Sequence, residues 1–449
     1  MKRAAGLLAV LLLPALLQAQ VVAYDYSGLY EQVSPAVVTV MTDDGSGSGF
    51  LANSSGLIAT NHHVVRNTRY LAVQFADGRK VEAKVVAVNP FHDMALLKVN
   101  SEVVSHIKPL PILPADKEAS VKVGIPVVAI GSPLNQKFLM TQGILSKVET
   151  STVLGDFLLQ PGNSGGPLLN RDGEVIGINT FGEANIAGAI RIATLREFLE
   201  TPELLKEASQ VEPSTELLPS VAARYPVDIL NRKIDTEPLN PVGYRIRAGD
   251  FMITAVTPVL IAKLQVAQEK IRAANRYDRR TKNTADPTAQ GIGDTYYEWH
   301  GTTESALDYV ITFDVRPTIG PTKRSRASKL SPFTLFGHTG NGEVEFKAEF
   351  MDLRIYRDGQ LIEPILPGRA VIEGNDGKKR RFIDQAYAGS YSYSPDDFQV
   401  GSEFRIQIID ARKPDAIHKE LVFTADSPMI QQLRSDFSYG PHTLMTGVH

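Results

Sequence analysis

Three short segments of this chain carry side chains that together suffice for covalent hydrolysis. The first is Pro161-Gly162-Asn163-Ser164-Gly165-Gly166-Pro167. A serine set among glycines can project from a tight turn, with backbone N–H groups beside it aimed at a developing oxyanion. Gly162 permits backbone angles that a Cβ resists and keeps the surface open to substrate. The N–H groups of Gly162 and Ser164, with Asn163 between them, are the expected oxyanion hole, a device worth roughly 3–4 kcal/mol per donor in known cases. Taken alone, the segment also reads as an ordinary glycine-rich turn. The second is Leu57-Ile58-Ala59-Thr60-Asn61-His62-His63-Val64-Val65, an apolar strand running into a histidine doublet. An imidazole, with an ordinary pKa near 6.5, can accept a serine proton at neutral pH. The doublet leaves open which histidine acts. On a strand, neighbours point to opposite faces, so only one should reach the serine. The third segment, Asn89 to Val99, places Asp93 directly before an apolar strand. A carboxylate there can fix the imidazole tautomer and stabilise its cation, or simply cap a turn.

The elements that must position these groups are short. Between Ser34 and Ile192 the apolar runs 36–41, 70–75, 81–88, 95–99, 127–130 and 175–179 are separated by turn signals such as Asp77-Gly78 and Asp172-Gly173. Many short strands with close turns predict an antiparallel barrel or sandwich. Leu195 to Ala208 is helix-compatible, and Gln210 to Pro226 reads as a polar, proline-bearing linker. Beyond it, Thr257-Pro258 is a good helix start, and Leu260, Leu264, Ala267, Ile271 and Ala274 recur at helical spacing, predicting an amphipathic helix over 259–277. Strands are then predicted over 306–315, 343–356, 403–409 and 420–423, with Arg357-Asp358-Gly359-Gln360 as a turn. This half reads as a β-rich domain, with a sandwich as one architecture.

Composition excludes several classes. The chain has 449 residues, the length of two or three domains. Hydrophobic residues at 43% against 22% charged argue for a folded chain. A net charge of −3 gives no overall basic excess for nucleic acid. The absence of cysteine excludes disulfides and thiol catalysis. No metal-ligand spacing stands out among the 9 histidines, so neither metal nor cofactor is expected. Lys2 and Arg3 precede an apolar run from Ala4 to Leu17, too short for a comfortable membrane span. This pattern predicts a secretory signal over 1–19, with cleavage after Ala23 and a retained anchor as alternatives. The expected location is therefore exported, periplasmic or secreted, with no membrane-spanning segment in the mature chain.

The segments together resemble the chymotrypsin-fold serine proteases, and specifically the HtrA/Deg family of exported proteases, from about Leu29 to Leu199. The blocks that carry the likeness are Ser34-Pro35-Ala36-Val37-Val38, Gly45 to Phe50, Thr60 to Val65, Asp93 to Val99, Gly131-Ser132-Pro133, Thr141 to Ile144, and Pro161 to Leu168 followed by Asp172 to Thr180. The order His, Asp, Ser is that of the chymotrypsin class. The resemblance implies a double β-barrel with His63 as base, Asp93 as its orienting acid and Ser164 as nucleophile. It implies an acyl-enzyme path with Gly162, Asn163 and Ser164 around the oxyanion. It places Phe157, Leu158 and Thr180 at the substrate pocket, where the absence of an Asp disfavours basic side chains and the bulk of Phe157 and Leu158 predicts a shallow or blocked pocket. It also implies protein or peptide substrates, and a trimer built through Tyr24, Tyr26 and Tyr30, a segment that reads equally well as a flexible leader.

The domain division that follows is 1–19 signal, 24–200 protease domain, 201–226 linker and 227–449 accessory domain. No carboxylate-binding loop of the family's peptide-binding modules is legible after Glu200. Three basic clusters, 279–282, 323–326 and 378–381, read as solvated loops before they read as an anion site. Trp299 with Tyr296, Tyr297, Tyr387, Tyr391 and Tyr393 suits either a binding surface or core packing. The expected function is an exported serine endopeptidase, with envelope protein quality control as its setting. Its rivals are a catalytically weak protease fold that presents the second domain, and an adhesin or scaffold driven by that domain.

Overall fold

The structure is a computed structural model that describes residues 25–132, 138–183, 186–201, 208–221, 223–277, 308–321, 344–373 and 384–438. The signal segment, Tyr24, Pro133, Tyr296, Tyr297, Trp299 and all three basic clusters lie outside these residues.

The protein is mainly β, with barrel-like sheets followed by a second β-rich region. Strands β1 (Val37–Thr42), β2 (Gly45–Leu51), β3 (Leu57–Asn61), β4 (Leu71–Gln74), β5 (Lys80–Glu82), β6 (Lys84–Asn89) and β7 (Met94–Lys98) form one antiparallel sheet in the order β5-β4-β1-β2-β3-β7-β6. Strands β8 (Pro126–Gly131), β9 (Leu139–Val148), β10 (Thr152–Gly155), β11 (Pro167–Leu169), β12 (Val175–Glu183) and β13 (Ile186–Arg191) close a second barrel. The single strand expected over 81–88 is two, β5 and β6, which break at Ala83 and pair with different partners. Helix α1 (Ser27–Val33) lies at the N-terminal end, α2 (His62–Val65) is one turn between β3 and β4, and α3 (Ile192–Leu199) follows the second barrel. The N-terminal segment is no loose leader from Tyr26 onward. Tyr26, Leu29 and Tyr30 pack against the core, and the Tyr30 hydroxyl donates to Phe138 O at 3.0 Å.

The C-terminal region is a sandwich. One sheet orders β14 (Arg245–Ala248), β15 (Phe251–Val256), β16 (Ile311–Pro317), β22 (Gln385–Tyr393) and β21 (Leu366–Glu373). The other orders β20 (Gln360–Ile362), β19 (Phe350–Arg357), β23 (Glu403–Asp410) and β24 (Ile417–Thr424), with β17 (Ile319–Pro321) and β18 (Val344–Phe346) paired separately. Inward residues of both sheets, among them Phe313, Val315, Tyr393, Ile355, Phe404 and Ile406, form one core. Alternation along β22 turns Tyr391 and Tyr393 into that core, so these two tyrosines pack rather than present a binding surface. The expected turn at Asp358-Gly359 closes β19 onto β20 with positive φ at both residues, 49° and 85°, as a two-residue hairpin requires.

Helices α4 (Val227–Thr236), α5 (Pro258–Tyr277), α6 (Asp396–Gln399) and α7 (Pro428–Asp436) complete this region. Thr257 caps α5 by accepting from Leu260 N–H at 3.1 Å. The first turns of α5 are not amphipathic as the spacing predicted. Residues 259–264 are buried on every side, because Val259 and Ala262 join the sandwich core while Leu260 and Leu264 pack with Tyr244. Beneath them the buried Asp436 carboxylate accepts from Thr257 Oγ1 (2.5 Å), Tyr244 Oη (2.9 Å) and Gln432 Nε2 (2.8 Å). An Asp436→Ala variant strands those donors in a dry site. It should lose roughly 2–4 kcal/mol of stability, read from the urea midpoint at unchanged slope.

Part of the stretch read as a linker runs along the first sheet. Leu217 bridges Val81, Leu218 N–H donates to Lys80 O at 2.8 Å, and Ser214 N–H donates to Glu82 at 3.2 Å. This segment therefore covers the open edge of β5, an edge that would otherwise offer unpaired backbone groups.

Candidate active site

Register brings the acid to the imidazole. β3 and β7 pair so that Asn61 faces Met94, and the next residue beyond each strand end, His62 and Asp93, therefore meet. His62 N–H donates to Asp93 O at 3.1 Å, and Asn61 Nδ2 donates to the same carbonyl at 2.9 Å. The chain then turns into α2, and His63 closes on the Asp93 carboxylate twice. Its backbone N–H reaches Oδ1 at 2.9 Å and its Nδ1 lies 2.7 Å from Oδ2. Asp93 holds φ of 52°, a left-handed conformation that few non-glycine residues adopt and that Asp tolerates better than most. The two histidines stand on a helical turn, not on a strand. Their divergence comes from rotation about the helix axis rather than from strand alternation, and it still leaves one imidazole on the carboxylate. Burial by itself would push the Asp93 carboxyl up. The His63 ring and backbone bonds, with the charges of His63 and His62, outweigh it and hold the group below the ordinary carboxylate value.

The serine stands on the turn after Gln160. Asn163 N–H donates back to Gln160 O at 3.0 Å, with Pro161 second and Gly162 third at φ of 103°. Proline at the second position and a positive-φ glycine at the third are the residue demands of a type II turn. Ser48 clamps the outcome. Its hydroxyl donates to Gly162 O at 2.6 Å and accepts from Ser132 N–H at 2.9 Å, while its N–H donates to Ser164 O at 2.8 Å. The N–H groups of Gly162 and Ser164 make no hydrogen bond among the described residues. Gly165 sits so close to the first sheet that a Cβ would lie 2.1 Å from Ser48 O and 2.3 Å from Thr60 Oγ1. A Gly165→Ala substitution must push the two barrels apart at the turn itself.

Ser164 and the His63–Asp93 pair are linked through Thr180. The Ser164 hydroxyl donates to Thr180 O at 2.9 Å, and the Thr180 hydroxyl accepts from Asn61 Nδ2 at 3.2 Å. In this structure the serine proton is therefore directed at a carbonyl rather than at the imidazole. The turn and α2 nonetheless abut. A Cβ on Gly47 would lie 2.7 Å from Val64, the neighbour of His63, and 3.1 Å from Ser164 O. Of the expected pocket residues, Leu158 is 52% exposed and Thr180 is half-buried at the site. Phe157 is a correction. At 2% exposure it belongs to the barrel core, its ring filling the space that the missing side chain of Gly155 leaves while its backbone lies against Gly143. It supports the wall from within and presents no surface to a ligand. The residue reading missed Ser48, Asn61 and Thr60, whose roles are contacts to distant backbone. The only signal was the glycine-rich setting of Ser48. Among the described residues no cluster of His, Asp or Glu could hold a metal ion.

Residues 47–178 match the family described as trypsin-like peptidase domain. The chain is 40% identical over 171 residues to the mitochondrial serine protease HTRA2 of Bos taurus, covering 35% of this chain and 36% of that protein. It is 40% identical over 142 residues to a probable periplasmic serine endoprotease, DegP-like, of Pseudomonas fluorescens, covering 30% of this chain and 29% of that protein. The chain thus spans about a third of the length of these relatives. A crystal structure of the serine endoprotease from Yersinia pestis aligns with 41% of this chain and 68% of its own at 31% identity, with a TM-score of 0.37. The class defined by the fold and the matched segment is the trypsin-like peptidase domain. Within that class the segment is similar to HtrA and DegP-like serine proteases. No helix among the described residues is long and apolar enough to cross a membrane.

Proposed function

We propose that the protein is a serine endopeptidase that cleaves peptide bonds through Ser164, His63 and Asp93. The observation that carries this reading is the Asp93 carboxylate held on both the backbone N–H and the ring of His63, beside a serine turn whose Gly162 and Ser164 N–H groups have no internal acceptor. With Nδ1 donating to Asp93, the other ring nitrogen is the basic one. A rotation about the Cα–Cβ bond of Ser164 moves its hydroxyl from Thr180 O toward that nitrogen. The serine oxygen then adds to the substrate carbonyl carbon as His63 takes its proton, and the two N–H groups receive the oxyanion. His63 returns the proton to the leaving amine, and water repeats the sequence to release the acyl group. Leu158 and the bulk behind it favour small aliphatic side chains in the pocket.

In this proposal residues 24–200 are the protease domain, 201–226 a linker and 227–449 an accessory domain. The chain is exported and acts on envelope proteins, a setting consistent with the periplasmic name of its DegP-like relative. The Ser164–Thr180 contact favours a second reading, a protease fold kept for binding. A fluorophosphonate probe separates the two. On the first reading it adds one label to the peptide that contains Ser164, and Ser164→Ala abolishes the adduct. A folded wild type that takes no label supports the second.

A further inference from the structure

We propose that Arg369, far along the chain in the C-terminal sandwich, is a positioning residue for His63, acting through Asp43 on the segment that leaves α2. This inference rests on the proposed role of His63.

The helix that carries His63 is a single turn, so its flanks must hold it. The β3–β7 register and Asp93 hold its front. Behind it the chain passes through Asn67, a non-glycine residue at φ of 61°, and on to Tyr70. That segment is gathered onto one carboxylate. Asp43, in the turn between β1 and β2, accepts from Thr68 Oγ1 at 2.8 Å, Arg69 N–H at 2.8 Å and Tyr70 N–H at 3.3 Å. Asp43 is only 6% exposed, and a buried carboxylate needs a counter-charge as well as donors. Arg369 on β21 brings one from the other domain. Its Nε lies 3.0 Å from Asp43 Oδ2, its backbone N–H donates to Asp43 O at 2.7 Å, and its guanidinium donates to Asn67 O at 3.4 Å. The guanidinium lies over the Tyr387 ring, 4.9 Å from its centroid, which fixes it from the far side. A second tie ends at the same place. Lys80 on β5 is buried, its ammonium donating to Pro219 O and Ile365 O and lying 5.2 Å from the centre of the Tyr70 ring. Burial would push the Asp43 carboxyl up, and the Arg69, Thr68 and Tyr70 donors with Arg369 hold it down instead.

Removing the guanidinium leaves Asp43 charged and under-compensated in a dry site. The cheapest relaxation is to admit water by loosening Thr68 to Tyr70, and with them the exit of α2. An error of about 1 Å in a catalytic group can cost on the order of 100-fold in rate, whereas nothing in this contact touches the substrate-facing turn.

The test compares full-length Arg369→Ala, Arg369→Lys and Asn100→Ala. The last cuts a contact to the linker instead, Asn100 Nδ2 to Pro213 O at 3.1 Å, that does not involve residues 66–70. With a fluorogenic peptide, Arg369→Ala should lower kcat by about 10- to 100-fold with KM within twofold, and Arg369→Lys should recover part of the loss. Asn100→Ala should match wild type. Amide exchange at Arg69 and Tyr70 should quicken in Arg369→Ala ahead of the rest of the barrel. If Arg369→Ala does not fold, Thr68→Val, which removes a donor to Asp43 from the protease side, should show the same kcat-selective loss. Unchanged kcat, a loss shared equally by KM, or exchange that rises everywhere at once overturns the proposal. A wild type without activity, or a His63→Ala variant that keeps it, sinks the endopeptidase reading instead. The exchange result at residues 69 and 70 remains readable in either case.

Discussion

Replacing His63 by alanine should lower turnover of a peptide substrate by about 10⁶-fold, the scale on which a triad loses its base. His62→Ala should stay within about threefold of wild type, because both imidazoles neighbour the carboxylate but only one is bonded to it. Nδ1 of His63 lies 2.7 Å from Asp93 Oδ2, whereas the His62 ring makes no hydrogen bond among the described residues. What His62 supplies is its backbone N–H to Asp93 O, and alanine keeps that bond. A steady-state assay on the two purified variants decides the matter. Equal losses, or a larger loss at His62, would mean that the working base is not the one paired in the structure.

Asp93→Asn should cost about 10⁴-fold in kcat while the chain stays folded. The reason is tautomeric. Asp93 accepts from the His63 backbone N–H with one oxygen and faces Nδ1 with the other. An asparagine has one oxygen. If that oxygen keeps the backbone bond, the amide NH₂ faces Nδ1, which must then accept. The proton moves to the other ring nitrogen, and the imidazole can no longer take one from Ser164. The pH behaviour follows from the direction of the shift. The Asp93 carboxyl is held below 3.8 in the folded protein. Its contribution to stability is complete above 3.8 and is lost as pH falls through the lowered folded value. The difference in melting temperature between wild type and Asp93→Asn should therefore be flat from pH 5 to 8 and shrink below about pH 4. A difference that vanishes near neutrality would require a different partner for His63.

Several strands of the N-terminal half, such as β1, β7 and β8, were legible because they are short apolar runs bounded by turn residues, and the resemblance to the HtrA/Deg family rested on blocks in order. The C-terminal half was harder for a physical reason. Strands β14, β20 and β21 are mixed in polarity or very short, so their pairing rests on a sandwich core assembled from both sheets rather than on their own alternation. The single strand expected over 343–356 is two, β18 and β19, with Lys347, the buried Ala348 and Glu349 between them. The segment read as a linker lies along β5 because that strand has an open edge, and an edge is a property of the sheet.

By itself the sequence determined the residue types of the candidate site and their order, the glycines that a serine turn demands, and the strand endings at which His63 and Asp93 stand. These are local properties, set by backbone sterics and by polarity within a few residues. Only the tertiary structure decided which histidine lies on the carboxylate, that Phe157 turns inward, that the Ser164 proton points at Thr180, and that Arg369 reaches Asp43. Each of those depends on register and on packing between segments far apart in the chain, and no local spacing encodes the distance between two surfaces until both have folded.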